Sequence, residues 1–354
     1  MPLPRRPTQA DIARSLGVSQ VTVSKALRGV TSISGALRKK VARRAAELGY
    51  RPDPMLSALV AYRGQEVRAY QGAMALLLTR TFMEGRYSRI AQLRAAAEAA
   101  AAQLGYRVEI FAIHESTRKD QAVANIMRAR GIRGALIDTY PLHFREVRVP
   151  LERFATVAFM SDSTVPGVMS VVSNHAHGMR ETLTRLAAAG YRKPMAVIHE
   201  SLAFVQDDWL SAAAYYGKRT FGRPLPVIQY DSRPIDRTLA RLAPLFARRG
   251  IDALIHCGNE AFIDALRRFI AIPGNLGFCS LDVQDPSTGC AGIRQNYDEI
   301  VAAAVRLLHA ALISGDAGII RRPSSLQIQG EWIDGWTLPP RKSRDREASK
   351  HPAG

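Results

Sequence analysis

Between Gln20 and Arg28 the chain sets out a side-chain amide at Gln20, hydroxyls at Thr22 and Ser24, cations at Lys25 and Arg28, and an apolar branch at Val21. None of these is a nucleophile beside a base or a set of metal ligands. Their chemistry is hydrogen bonding, ion pairing and apolar contact, which is the chemistry of recognition. For them to act together they must share one face of a short helix, and the surrounding residues provide one. In TQADIARSLGVSQVTVSKALR, residues 8–28, Thr8 is placed to cap a first helix and Asp11 to answer it three residues later. Ile12, Ala13 and Leu16 make its apolar stripe, and Gly17 ends it. Ser19 caps a second helix whose Val23, Ala26 and Leu27 turn inward, leaving the six recognition residues toward solvent or a partner. A third helix, from Ser34 to a stop at Gly49, carries Leu37, Val41, Ala45 and Leu48 to complete a small core. Two amphipathic helices joined by a Gly-Val-Ser turn present the second helix in a form that can enter a DNA major groove.

A solvated helical hairpin would share that turn, and charge separates the two readings. Residues 1–68 hold thirteen Lys or Arg against four Asp or Glu, and Lys25, Arg28, Arg38, Lys39, Lys40, Arg43 and Arg44 lie on or beside the second and third helices. Cations at that density suit release of counterions from a phosphate backbone. Of the formal net charge of +18, nine lie in residues 1–68 and three in residues 341–354, so basicity gathers at the two ends.

With 354 residues, 47% apolar and 7% aromatic, the chain has room for two or three domains with a substantial core. Its three cysteines, Cys257, Cys279 and Cys290, do not suggest a disulfide framework, since the first two fall in apolar runs that read as buried strands. MPLPRRPTQ lacks the apolar core of a signal peptide, and no long uninterrupted apolar run occurs, so the expected location is cytoplasmic. No Cys/His pair has zinc spacing, no phosphate-binding GxxxxGK[ST] occurs, and no nucleophile elbow or dinucleotide glycine fingerprint is present; no cofactor, metal or catalytic residue is expected. His175 and His177 are two apart on a loop entering a helix and lack a ligand partner, and His199-Glu200-Ser201 matches no triad spacing.

After Tyr50, Pro52 and Pro54 interrupt one helix and start another, which should run to about Tyr62, followed by the polar link Arg63-Gly64-Gln65-Glu66. From Gly72 strands alternate with helices, which predicts parallel α/β sheets. A first set of strands covers 73–79, 107–113, 134–139 and 154–160. A second set, taken to begin with 168–173, continues through 194–199, 226–230, 253–258 and 276–281 to a helix over 297–314 and the closing segment SSLQIQGEW. The expected domains are a DNA-binding head over 1–50, a hinge helix and linker over 51–71, two α/β lobes in tandem over 72–336, and a basic, disordered tail over 337–354. Ligands of such sheets sit at the carboxyl ends of strands, so the cleft between lobes is the expected site.

The run Asp11-Ile12-Ala13, Gly17-Val18-Ser19, Thr22-Val23-Ser24, followed by Val41, Ala45, Leu48-Gly49-Tyr50 and Pro52, resembles the LacI/GalR family of bacterial transcription regulators. Weaker support comes from Asn259-Glu260, Leu281-Asp282, Gln295 and Trp332 to Gly335. The resemblance implies an all-α helix-turn-helix head and a two-lobed, type I periplasmic-binding-protein-like domain with parallel sheets. It implies base-edge contacts by Gln20, Val21 and Lys25, with Lys25 suited to guanine and Val21 to a thymine methyl, and phosphate contacts by Thr8, Ser19, Thr22, Ser24 and Arg28. Leu59, with Leu56 beside it, would wedge into the minor groove. Asn174, Trp209, Asn259, Asp282 and Gln295 would line the effector cleft.

The chain departs from that pattern with Asn174-His175 where an acidic residue is frequent. It also has Gln206-Asp207-Asp208-Trp209 where an arginine usually opens the helix, so the usual fork for sugar hydroxyls is missing, and Trp209 either stacks on a sugar face or, as a lone Trp opening a helix more often does, packs in the core. The resemblance implies a homodimer on a palindromic double-stranded operator, a repressor modulated by a small effector such as a sugar derivative. A degenerate cleft without ligand, or an α/β enzyme with a DNA-binding appendage, are the alternatives.

Overall fold

The computed structural model describes residues 7–27, 33–50, 72–79, 83, 89–114, 117–139, 149–160, 167–200, 203–230, 235–257, 261–274, 276–315, 318 and 320–341. The expected hinge over 51–71, with Leu56 and Leu59, together with Arg28 and Asn259, lies outside them. The chain divides into two compact units, residues 1–69 and 70–354.

In the first unit, α1 (Gln9–Leu16), α2 (Gln20–Leu27) and α3 (Gly35–Glu47) enclose one small core. Ile12, Val23 and Val41 are fully buried, one from each helix, with Ala13, Ala26 and Ala45 beside them. Local chemistry sets each boundary. Thr8 Oγ1 accepts from the Asp11 amide at 3.3 Å, and Asp11 Oδ2 accepts from the Thr8 amide at 2.9 Å, closing a reciprocal cap. Gly17 ends α1 with φ of 65°, a conformation that Gly adopts without steric penalty. The Ser19 hydroxyl accepts from the Thr22 amide at 3.1 Å, and the Ser34 hydroxyl from the Leu37 amide at 3.4 Å.

The second unit holds two six-stranded sheets. The first joins β1 (Gly72–Thr79), β2 (Tyr106–Ile113), β3 (Gly134–Asp138), β4 (Ala155–Met160), β5 (Met169–Ser173) and β11 (Ser325–Ile328), in the order β11-β5-β4-β3-β1-β2, all parallel. The second joins β6 (Pro194–His199), β7 (Val227–Tyr230), β8 (Ala253–Cys257), β9 (Gly277–Ser280), β10 (Gly292–Arg294) and β12 (Glu331–Ile333), in the order β12-β10-β9-β8-β6-β7, with only β12 antiparallel to its neighbour.

Both faces of each sheet are covered, and strand alternation sorts the side chains between them. In β1, Met74, Leu76 and Leu78 pack beneath α4 (Arg89–Gln103) and α10 (Tyr297–Ser314), while Ala73, Ala75 and Leu77 meet Val123 and Met127 of α5 (Thr117–Ala129). In β6, Ala196 and Ile198 face α6 (His175–Ala188) and α7 (Ala203–Phe221). Met195 and Val197 of that strand face α8 (Ile235–Arg249) and α9 (Ala261–Arg267). The fully buried Ala97 and Ala101 explain the alanine run of α4, since small side chains let it lie close on the sheet and α10.

Three sequence expectations need correction. Strand 168–173 does not open the second lobe; β5 hydrogen-bonds to β4 and completes the first sheet. The lobes are not in tandem either, because after β10 the chain returns to the first lobe for α10 and β11 before β12 closes the second. Such runs of apolar residues look alike whichever sheet receives them. Finally, the ordered chain does not stop at residue 336. Thr337 is fully buried, its hydroxyl donates to the Phe278 carbonyl at 2.8 Å and accepts from the Ala291 amide at 2.9 Å, and the Arg341 amide donates to Ala189 at 2.8 Å. The rest of the expected tail, 342–354, lies outside the described residues.

β10 went unpredicted because three residues are too few for a periodic signal. It exists because Gly292, at φ of 148°, brings its backbone against Ser280, where a Cβ would lie 2.0 Å from the carbonyl oxygen. Gly292→Ala is therefore expected to lower the stability of the second unit by about 3 kcal/mol, read as a shift in the urea midpoint. An unchanged midpoint would contradict this packing.

Candidate nucleic-acid interface and ligand cleft

Helix α2 separates its residues cleanly. Val23 and Ala26 are buried, whereas Gln20, Val21 and Lys25 are exposed, Val21 at 62%. Thr22 and Ser24 are half-buried. The exposed side thus carries an amide, an isopropyl group and an ammonium on one short helix, with nothing of its own core to stabilise. Lys39, Lys40 and Arg43 on α3 are exposed as well. Other basic residues have internal tasks: Arg44 donates to the Ser15 hydroxyl at 3.1 Å and pairs with Glu47 at 2.9 Å, and Arg14 pairs with Asp11 at 3.1 Å.

The hydroxyls expected at phosphates are already engaged in capping. Thr8 Oγ1 donates to Asp11 Oδ2 at 2.7 Å, and the Ser19 and Thr22 hydroxyls share a hydrogen bond at 2.8 Å. A phosphate would have to share or displace those bonds.

In the second unit, polar groups gather where strands end. β1 finishes at Thr79 and β3 at Asp138, followed by Thr139, all three buried. The Thr139 amide and hydroxyl both donate to the Phe159 carbonyl, at 3.1 and 2.7 Å. β4 ends at Met160, which has φ of 81°, an uncommon conformation for a residue with a side chain. In the second lobe β6 ends at His199 and β7 at Tyr230, while His256 lies just inside the end of β8. The two carboxyl edges meet at an ion pair: Arg89 at the start of α4 reaches Asp282, just past β9, with 3.0 Å between Nη2 and Oδ2. The Arg89 guanidinium also lies 4.2 Å from the ring centroid of Tyr297.

Burial controls the titration of this region. It depresses His256 to about 3, with His199 adding to the effect, and His175 to about 4. Burial raises the Tyr230 phenol, which shares a hydrogen bond with His256 Nε2 at 2.8 Å. The Cys257 thiol is pushed up by burial and then by Asp282, with Arg89 opposing. All three cysteines are buried thiols.

The cleft residues expected from sequence have distinct fates. Asp282 lies at the meeting of the two edges. Asn174 follows β5 at a crossover, where its side chain caps α6 by accepting from the His177 amide at 2.9 Å. Gln295 is buried at a second crossover and donates to the Leu281 carbonyl at 2.7 Å. Both therefore shape the links between lobes. Trp209 is not placed to stack on a ligand: α7 starts at Ala203, which sets Trp209 within the helix, 2% exposed, in the core against His175 at 5.0 Å between ring centroids. Sequence reading missed Arg89, Thr79, Asp138 and Thr139. A signal existed for Arg89, since a cation opening a helix with no acidic residue in its first turn opposes the helix dipole and needs compensation from elsewhere.

Residues 8–53 match the lacI family of bacterial regulatory proteins. Those residues carry a helix-turn-helix head like that of LacI-family regulators. The chain is 42% identical to the HTH-type transcriptional regulator GntR of Pseudomonas aeruginosa over 73 residues, 21% of each chain. It is 24% identical to the HTH-type transcriptional regulator PtxS of Pseudomonas plecoglossicida over 314 residues, covering 86% of this chain and 88% of that one. The first of these likenesses thus spans about a fifth of that relative's length. Two solved structures share the fold. The regulator CelR in complex with cellobiose is 19% identical, with 94% of this chain and 100% of that chain covered and a TM-score of 0.56. The lac repressor dimer bound to operator and an anti-inducer is 18% identical, with 95% and 100% covered and a TM-score of 0.55. As in a LacI-family architecture, a helix-turn-helix head precedes a two-sheet α/β unit. Among the described residues no helix is long and apolar enough to cross a membrane, and no three His, Cys, Asp or Glu side chains group to hold a metal.

Proposed function

We propose that this DNA-binding regulator is a repressor that sits as a homodimer on an approximately palindromic operator and is modulated by a small molecule in the cleft between its lobes. The exposed face of α2 carries the reading: Gln20, Val21 and Lys25 project from a helix whose opposite side is fixed in the head core. Those types suit base edges, an amide for adenine, an ammonium for guanine and methyls for thymine. Thr8, Ser19, Thr22, Ser24 and Arg28 are proposed at the phosphates, and Leu56 and Leu59 at the minor groove. One head offers little contact area, so pairing two of them on half-sites supplies affinity. A cellobiose-bound protein of the same fold supports a hydroxyl-rich effector, for which Asp282 is the favoured contact and Asn174, Asn259 and Gln295 are proposed as further contacts.

Genome-wide footprinting with the purified chain should reveal a symmetric site. In that site Lys25→Ala is expected to lose about 1–3 kcal/mol of discrimination at one base position per half-site. Binding of all duplexes with equal strength by the unsubstituted chain would overturn the proposal. The Arg89–Asp282 pair across the cleft favours one second reading, a cleft closed to ligands and a regulator controlled by its own abundance. Thermal-shift screening of sugars, nucleosides and organic acids distinguishes the two: a stabilising compound that also changes operator affinity supports an effector, and uniform silence supports the second reading.

A further inference from the structure

We infer that Arg89 is a positioning residue that holds the two lobes together across the cleft. Arg89 belongs to the first lobe and Asp282 to the second, and they are 193 residues apart in sequence. Their side chains are only 13% and 11% exposed, so the pair is largely withdrawn from water. Each partner is held from behind. Arg89 lies over Tyr297, the first residue of α10 and just past the Gln295 crossover. The Asp282 amide donates to the Ser280 hydroxyl at 3.0 Å, and the preceding carbonyl, that of Leu281, accepts from Gln295 at 2.7 Å.

Separating two such charges leaves each needing water it does not have in the closed arrangement, whereas a pair exposed at a surface would part with little penalty. Arg89 also opens a helix with no acidic residue in its first turn, and Asp282 of the other lobe balances its charge. Asp282 Oδ1 is buried without a hydrogen-bond partner, while Oδ2 takes Arg89. A ligand entering here therefore meets a carboxylate with one acceptor still open and its charge already balanced. It can donate to Oδ1 with the pair intact. If instead it takes Arg89 or Asp282 for itself, it releases the lobes from each other. The inference rests on the effector-cleft reading only where lobe closure is extended to operator affinity.

Hydrogen exchange on the full-length chain, without DNA or added small molecules, tests it. Arg89→Gln and Asp282→Asn should each speed exchange at least tenfold in the strand-end segments 134–139 and 278–284, with the centres of both sheets unchanged. The double variant should be no faster than either single one. The exchanged pair Arg89→Asp with Asp282→Arg should regain protection. Wild-type exchange rates in the single variants, or additive effects in the double variant, would overturn the inference. Should a single variant lose protection at the sheet centres too, the exchanged pair decides: protection regained supports the latch, and protection not regained overturns it. Operator binding by the unsubstituted chain is measured separately, so a failure to bind DNA removes the regulator reading and leaves this result standing.

Discussion

Val23→Asp is expected to abolish DNA binding, while Val21→Ala, two positions earlier on the same helix, leaves the head folded and alters only which sequences are preferred. Val23 is fully buried against a core that also holds Ile12 and Val41, and Val21 is 62% exposed. An unpaired carboxylate in that core loses its water and gains no partner, a penalty of several kcal/mol. A hydrophobic core in a unit this small supplies only about 3–5 kcal/mol in all. The head should therefore unfold as a whole, since three short helices have no other core to fall back on. The second unit has separate cores, and its melting temperature should not move. Circular dichroism would show the loss of helix from residues 1–50, and gel shifts would show the loss of operator binding. Operator affinity within tenfold of the unsubstituted chain would refute this account of α2. Val21→Ala should keep the melting curve of the head and weaken selection at a single A·T position.

The same helix shows why so much of the head was legible in sequence. Caps, turns and helix faces are decided by residues three or four apart, so Thr8 with Asp11, the left-handed Gly17, and the division of Val23 from Val21 could all be assigned before any fold was known. The rhythm of strands and helices in the second unit was legible for a related reason, because fully buried strands such as AMALLL are continuous apolar runs. What the runs do not carry is an address. β5 reads the same whether it belongs to one sheet or the other, and only its bonds to β4 and β11 decide.

The cleft was least legible because it is made by contacts between distant segments. Asp282 was found through resemblance, but its partner Arg89 lies on a helix in the other lobe, and no spacing in the sequence connects them. Trp209 shows the converse, since of its two readings the structure takes packing. A large aromatic near a helix start suggests a stacking platform, yet burial of its whole ring against His175 and the lobe core is the better use of so much apolar surface. Thr337 to Arg341 carry too little apolar pattern to mark an element, and they are held by hydrogen bonds to strands and turns far back in the chain.

The second large effect expected is acid lability of the second lobe. His256 is 1% exposed, stacked on Phe262 at 3.7 Å between ring centroids, and shares a hydrogen bond with the Tyr230 hydroxyl. Burial lowers its pKa from 6.5 to about 3, and that of His175 from 6.5 to about 4. In the unfolded chain both imidazoles take up protons near pH 6.5, so below that pH unfolding binds protons that the folded chain refuses. The stability tied to these two residues is complete above about pH 6.5. It falls as the pH drops toward 4 for His175 and toward 3 for His256, by about 1.4 kcal/mol per pH unit for each. At pH 4.5 the two together remove on the order of 5 kcal/mol, comparable with the whole stability of many domains. Urea denaturation between pH 7.5 and 4.5 should show a slope of stability against pH that decreases by one proton in His256→Asn. It should decrease by one proton again when His175→Gln is added, even though the Asn variant is less stable at neutral pH for want of the Tyr230 bond. A slope that neither substitution changes would mean that these rings are protonated in the folded lobe, and that water reaches the ends of β8 and β5 more freely than their packing allows.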